Sequence, residues 1–311
     1  MKKLRAVAAL FIAFALGFGA VRFAPDARAF LKAVSVQSPG AVAITGGTIN
    51  GASVGATTAG TGAFTTLSAS GAISPSTTQG IVGTVAADSA QSGSVGEYLE
   101  AQCARATSGA VLSFTLASPT VGTWASPPWV GTGAATIACP FQITANAPTG
   151  LSTSTNYWAV PASASTFKVA TSAANAMAGT FANTTGSSST ANLTTGALLS
   201  TTAGLAGAGM SITAGDWDCS ASTLYVPASS TSVTNLSQGV STSSTALGNL
   251  GTYSDLEFAA SVLTATNSPV QPTPTARVNV SSTTSYFVTN IATFTLSTLA
   301  ATSDLRCRRV R

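Results

Sequence analysis

Glu97 and Glu100, Asp216 and Asp218, and four cysteines are the residues of this sequence whose types and spacing could do chemistry. A carboxylate pair can cleave a glycosidic bond when the two groups flank it from converging surfaces. Glu97 and Glu100 stand three apart in an extended stretch, and that spacing sends two side chains to opposite faces. They are not expected to act together. Asp216 and Asp218 share a strand face, but Asp216 follows Ala214 and Gly215 and reads as a turn residue, and two carboxylates are too few oxygens for calcium. The sequence contains no histidine, which removes the commonest general base and metal ligand together. Its many Ser and Thr hydroxyls then lack the partner of an ordinary nucleophilic triad. No enzymatic activity, metal or cofactor is expected.

The cysteines, Cys103, Cys139, Cys219 and Cys307, are separated by 36, 80 and 88 residues. There is no C-x-x-C pair, so zinc is not indicated. Their even number behind an export-like leader fits two disulfides in any of three pairings; buried free thiols are the other reading. Trp124, Trp129, Tyr157 and Trp158 form the densest aromatic group of the chain. Exposed rings of this kind stack on sugars and anchor interfaces, a route to glycan or receptor contact. The alternative is the packed centre of a small β-module.

Extended structure must position these side chains. A composition of 45% apolar and 7% charged residues is too apolar and too weakly charged for a disordered chain, and recurrent Thr and Val favour strands. The net charge of +4 sits in residues 1–29, because from residue 30 onward eight basic residues balance eight acidic ones. A neutral body gives phosphate binding little to act on. Arg306, Arg308, Arg309 and Arg311 make a locally basic end, read as solvated or inter-subunit contacts, and no nucleic-acid partner is expected. Lys2, Lys3 and Arg5 precede an uncharged run over residues 6–21, and Ala27-Arg28-Ala29 has the small-x-small form of a signal-peptidase site. The run is shorter than the ~20 residues of a spanning helix, so a cleaved secretory signal is expected, with a retained hydrophobic anchoring helix as the alternative.

In residues 40–71, Ile44, Ile49 and Val54 stand five apart with Phe64 in phase, separated by Gly, Thr, Asn and Ala. A five-residue step alternates between the faces of a flat strand, so short strands broken by Gly turns fit better. Such a ribbon has too few apolar groups to close alone and requires identical copies round a shared axis; a flexible Gly/Thr linker is the alternative. The string ITGGTINGASVGATTAGTGAFTTLSASG resembles the shaft segment of tail-fibre and appendage-type proteins of tailed phages and prophages, with Ala59 where that pattern often has Pro. The resemblance implies virion structure rather than a reaction.

SVGEYLEAQ at 94–102, SITAGDWDCSA at 211–221 and TTSYFVTNIATFTLSTLAATSDLRCRRVR at 283–311 resemble the carboxy-terminal β-domain of many phage-encoded proteins. Cys219 and Cys307 stand where that pattern usually has small or apolar residues, which brings a disulfide or a cross-link within a particle into view. SPTVGTW at 118–124, PTGLSTSTNYWAV at 148–160 and STFKVATSAANAMAGT at 165–180 resemble a small β-module found within phage structural proteins, with SPPWV replacing its His-Gly-Leu segment. The residues agree: 217–226 alternate like a half-buried strand, and 286–299 carry apolar groups on both faces, as an inner sandwich strand does. Three prolines make 269–277 a loop or an edge.

The expected chain is all-β. A signal-like or anchoring hydrophobic helix (1–29) leads into a Gly/Thr-rich shaft of short β-repeats with its linker (30–93). A jelly-roll-like β-sandwich (94–108 plus 191–311) follows, carrying an inserted β-module (109–190). The resemblance implies a fibre, neck or tail appendage or decoration protein on the virion surface. It would be a homotrimer touching other virion proteins and a host surface glycan or receptor. A secreted or surface-anchored, prophage-derived adhesin is the alternative.

Overall fold

The computed structural model describes residues 92–310 apart from 107–109, 117, 134, 202, 250–251 and 264–266. These fall in one compact unit, Val82–Arg311. The leader and the shaft expected over residues 40–71 lie outside the described residues.

Strands make up almost all of the regular structure of the described residues. It runs through β1 (Tyr98–Cys103), β2 (Ala110–Thr115), β3 (Val121–Thr123), β4 (Trp129–Thr132), β5 (Ile137–Ala145), β6 (Asn156–Pro161) and β7 (Thr166–Ala170). A five-residue helix, α1 (Ala173–Met177), precedes β8 (Ser188–Thr195), β9 (Ala197–Leu198), β10 (Leu205–Ile212), β11 (Gly215–Pro227) and β12 (Thr231–Ser241). The last strands are β13 (Tyr253–Leu263), β14 (Val270–Pro272), β15 (Ala276–Val280), β16 (Thr284–Thr295) and β17 (Leu299–Arg309).

Two sheets face each other. The first has the order β14–β11–β17–β1–β4, with β15 also on β11 and β9 on β17; the second has β13–β12–β16–β10–β5. After β10 the chain passes to the first sheet for β11, returns for β12 and β13, crosses for β14 and β15, returns for β16 and ends in the first sheet with β17. β17 lies over β10 and β16, and β11 over β12. In β11 the odd positions Trp217, Cys219, Ala221, Thr223 and Tyr225 turn inward while the even ones are mostly half-exposed, the period of two that one covered face imposes. β16 is an inner strand between β12 and β10, in line with its apolar groups on both faces. The proline-rich stretch forms the short strands β14 and β15 on the edge of the first sheet, where a missing N–H costs no ladder bond.

Between β1 and β10 the second sheet continues through β5 into β6, β7, β3, β2 and β8, and β8 pairs back with β5. This closes a six-stranded antiparallel barrel spanning residues 110–195. The barrel is knitted into the sandwich rather than hung from it: β4 pairs with β1, and the start of β5 pairs with β10. Phe114, Phe141 and Phe167 fill its interior with edge-to-face contacts at centroid separations of 6.1 and 5.6 Å. Gly122 on β3 is required here, because a Cβ would lie 2.3 Å from the Phe167 ring. Barrel interior and first-sheet residues such as Leu99, Trp217 and Leu305 belong to one continuous apolar cluster.

A second cluster, around Tyr225, Leu236, Phe294 and Leu299, fills the other part of the sandwich. A polar seam runs beside it. Thr223 Oγ1 donates to Asn290 Oδ1 at 3.1 Å and lies 2.9 Å from Ser303 Oγ, and the Tyr225 hydroxyl donates to the same Asn290 oxygen at 3.2 Å. Gln271 Nε2 donates to the Leu236 carbonyl and to Ser254 Oγ. A Ser/Thr-rich chain can therefore bury its hydroxyls where each finds a partner.

Candidate functional site

The outer face of the first sheet gathers most of the charge of the described residues. Strand register sets its rows: Tyr98, Arg308, Asp218 and Arg277 are successive cross-strand neighbours, then Glu100, Arg306 and Ser220, then Gln102, Asp304 and Ser222. Arg306 Nε donates to Glu100 Oε1 at 2.9 Å, and Arg306 also pairs with Asp304. Burial, reinforced by the neighbouring Glu100 and opposed by Arg306, pushes the Asp304 carboxyl up to about 6. Arg277 grips Asp216 with two bonds, Nε to Oδ1 at 3.0 Å and Nη2 to Oδ2 at 2.7 Å, and this partner raises the guanidinium further above its ordinary value. Asp216, expected as a turn residue, is instead the buried second residue of β11. The turn lies just ahead of it.

Behind this face a buried clasp joins the two ends of the domain. Arg309 Nε donates to Glu97 Oε2 at 2.9 Å, Nη1 to the Ala214 carbonyl at 2.7 Å and Nη2 to Thr213 Oγ1 at 2.6 Å, while the guanidinium lies 4.2 Å from the Trp217 ring centroid. Gly215 adopts φ +146°, and a Cβ there would strike Arg309 Nη1. The basic end therefore splits by strand period: Arg309 is an interior group, Arg306 and Arg308 lie outside on β17, and Arg311 falls outside the described residues. The reading of that end as solvated or inter-subunit arginines is corrected for Arg309.

Glu97 and Glu100 point to opposite sides, one into the clasp and the other onto Arg306. Each is held by an arginine, so they do not converge on a shared point. Among the described residues no group of three or more Cys, Asp or Glu side chains is arranged to hold a metal, and no helix is long and apolar enough to cross a membrane.

The cysteines pair as Cys103–Cys139 and Cys219–Cys307, with none left free. The first bridge joins β1 to β5, sandwich to barrel. The second joins directly opposed residues of β11 and β17 on the inner face of their ladder. A cross-link between subunits through these four residues is therefore corrected: all are buried and paired within the chain.

Trp124, Trp129, Tyr157 and Trp158, expected as glycan or receptor contacts or else as core, are all buried. Trp129, the first residue of β4 and the ladder partner of Cys103, packs edge-on against Trp124 at 5.3 Å and Phe167 at 5.1 Å. The Tyr157 hydroxyl accepts from the Ser152 backbone N–H at 2.8 Å. Trp158 turns to the other side of the barrel wall and packs against Ala173 and Ala176 of α1 and Phe287 of β16. Surface contact through these four rings is corrected, because no ring offers a free face. Missed from the sequence was Arg277, whose partner Asp216 is brought to it by the pairing of β15 with β11.

No protein-family model and no curated protein matches the chain. Among solved structures, "Crystal structure of infectious bursal disease virus VP2 subviral particle" is similar over 71% of this chain and 74% of that one, at 8% identity and a TM-score of 0.24. That superposition is too loose to define a shared fold.

Proposed function

We propose that this chain is a structural, non-enzymatic virion protein of a tailed phage or prophage, a fibre, appendage or decoration component that projects a β-domain from the particle toward the host surface. The observation that carries this reading is the winding of the two sheets. Counting β14 and β15 as one interrupted strand, eight strands cross between the sheets at every step except β12 to β13, four to a sheet with the first and last as neighbours, which supports a jelly roll of the kind used in capsid and lectin domains. The shaft-like string at 44–71 and the GEY, TAGDWD and RRVR segments support the phage setting by resemblance.

A homotrimer follows from a shaft too poor in apolar groups to close alone. The solution mass of the full chain by light scattering, with and without reductant, tests this. A mass near three chains in both buffers is expected, since every described cysteine is paired internally; a monomer in both would sink the intertwined shaft. Mass spectrometry of purified particles tests the virion assignment.

The adhesin reading is favoured by one observation, the two buried disulfides, which belong to oxidising compartments and surfaces. A mature amino terminus created by cleavage after Ala29 would support it. An intact Met1 or Lys2 in purified particles would support the virion part.

A further inference from the structure

The end of β12 and the loop after it, the edge strand β15 and the start of β16 line an open cleft of about 440 Å³, within the usual span of ligand clefts, roughly 300–1,000 Å³. Val240 at the end of β12 and Val278 of β15 give it an aliphatic side, while Thr242, Asn249, Arg277 and Tyr286 supply polar groups. The glycan contact that the sequence placed on the buried aromatic group has a better home here.

Three features distinguish this cavity from a chance surface fold. Arg277 is held in place by its two bonds to Asp216, and its Nη1 has no partner among the described residues. A guanidinium fixed in this way presents one open N–H edge to an anion without having to be ordered first. Tyr286 is 8% exposed, and no described residue bonds its hydroxyl. Burial raises that phenol above its ordinary value, so it remains a donor at neutral pH. The first turn of the wall after β12 is tied down: Ser243 Oγ accepts from the Thr245 and Ala246 N–H groups, and Thr289 Oγ1 of β16 donates to the Ser243 carbonyl at 2.7 Å. Pre-ordered donors round an aliphatic wall are what a sugar ring requires, with its hydroxyl rim and C–H face.

We infer that this cavity is a saccharide subsite for an acidic sugar unit, a uronic acid whose carboxylate meets Arg277 and whose hydroxyls meet Tyr286, Asn249 and Thr242. The inference rests on the attachment reading for its biological setting. With its charge already shared with Asp216, Arg277 offers a ligand the N–H group left over from that pair, enough for one hydrogen bond to a carboxylate oxygen, whereas a free phosphate dianion would want more donors than the cleft offers.

The test is titration of the full chain with glucuronate, glucose and inorganic phosphate, followed by calorimetry or ligand-observed NMR. Glucuronate is expected to bind with a Kd on the order of 1 mM, as a ligand of that size allows, with glucose at least tenfold weaker. Tyr286→Phe should weaken binding about fivefold, the loss of one hydrogen bond. Asp216→Asn combined with Arg277→Gln should abolish the preference for glucuronate, leaving no unpaired buried carboxylate to disturb folding. Failure of glucuronate to bind, equal binding by Tyr286→Phe, or phosphate binding as tightly as glucuronate would overturn the subsite. Binding of the chain to host cells separates the two readings. Cells bound without glucuronate affinity sinks the subsite and spares attachment; glucuronate affinity without cell binding sustains the subsite and sinks attachment.

Discussion

Arg309 on the last strand donates to Glu97 in the turn before the first strand, at 2.9 Å, with both side chains about 5% exposed. Neither charge could sit there alone. Each interior ion has lost its water, and the attraction between them, with the Thr213 and Ala214 acceptors, offsets that loss. Removing one partner should therefore do far more harm than removing both. Arg309→Met is expected to destabilise the domain by about 3–5 kcal/mol, and the double variant with Glu97→Gln should recover a measurable part. Urea unfolding curves of the three proteins would show it; equal loss in single and double variants would mean that the Arg309 stem and its stacking on Trp217 matter more than the charge pair.

The disulfides make separate contributions. In the chain-entropy account, closing loops of 36 and 88 residues restrains the unfolded chain by roughly 4 kcal/mol each. Cys219→Ala with Cys307→Ala, and Cys103→Ala with Cys139→Ala, should each lower the melting temperature by on the order of 10 °C. Because all four sulfurs are buried, alkylation of the native protein under mild reductant should be slow and should track unfolding, as mass spectrometry of trapped thiols would reveal.

Asp304 gives stability a pH slope of unusual sign. Its carboxyl is pushed up to about 6 in the folded chain from an ordinary 3.8, so between those values the folded state holds a proton that the unfolded state has released. The contribution of this group is fully present below about pH 4 and is lost as pH rises through about 6. Asp304→Asn should gain stability relative to wild type at pH 7.5 and little at pH 4, read from melting curves across that window. A variant that loses stability at pH 7.5 would show that the Arg306 pairing outweighs the desolvation.

Asn290 holds the polar seam together, accepting from Thr223 and Tyr225 with a single oxygen. Asn290→Ala leaves two buried hydroxyls without that acceptor and opens a small void, with an expected cost of about 2–4 kcal/mol. Thr223→Val in the same background should cost less than it does alone, since the hydroxyl it removes has already lost one acceptor. A double-mutant cycle in urea would measure that coupling.

What the sequence reveals follows from the range of the forces involved. The alternation through Trp217 and Tyr225, the two apolar faces of β16 and the edge position of the three prolines are local, and all are legible. The cysteine pairing is not, because Cys219 meets Cys307 only through the register of β11 on β17. The aromatic spacing of Trp124, Trp129, Tyr157 and Trp158 is the same whether rings line a surface or fill a barrel; closure of β8 onto β5 decides it. Arg309 looks like part of a basic tail until Glu97, 212 residues away, is brought beside it.

β1 and β17 run antiparallel with Tyr98 beside Arg308, so the chain enters and leaves the sandwich at one fork. A force prising that fork open would break the ladder one rung at a time, the weakest way to load paired strands. The first rungs are Gly96 N–H to the Arg309 carbonyl and Arg309 N–H to the Glu97 carbonyl, and the Glu97–Arg309 pair sits on top of them. In mechanical terms the clasp is a rivet at the crack tip: its loss should lower the unzipping force more than its share of the equilibrium stability, because every tear of this kind has to start there.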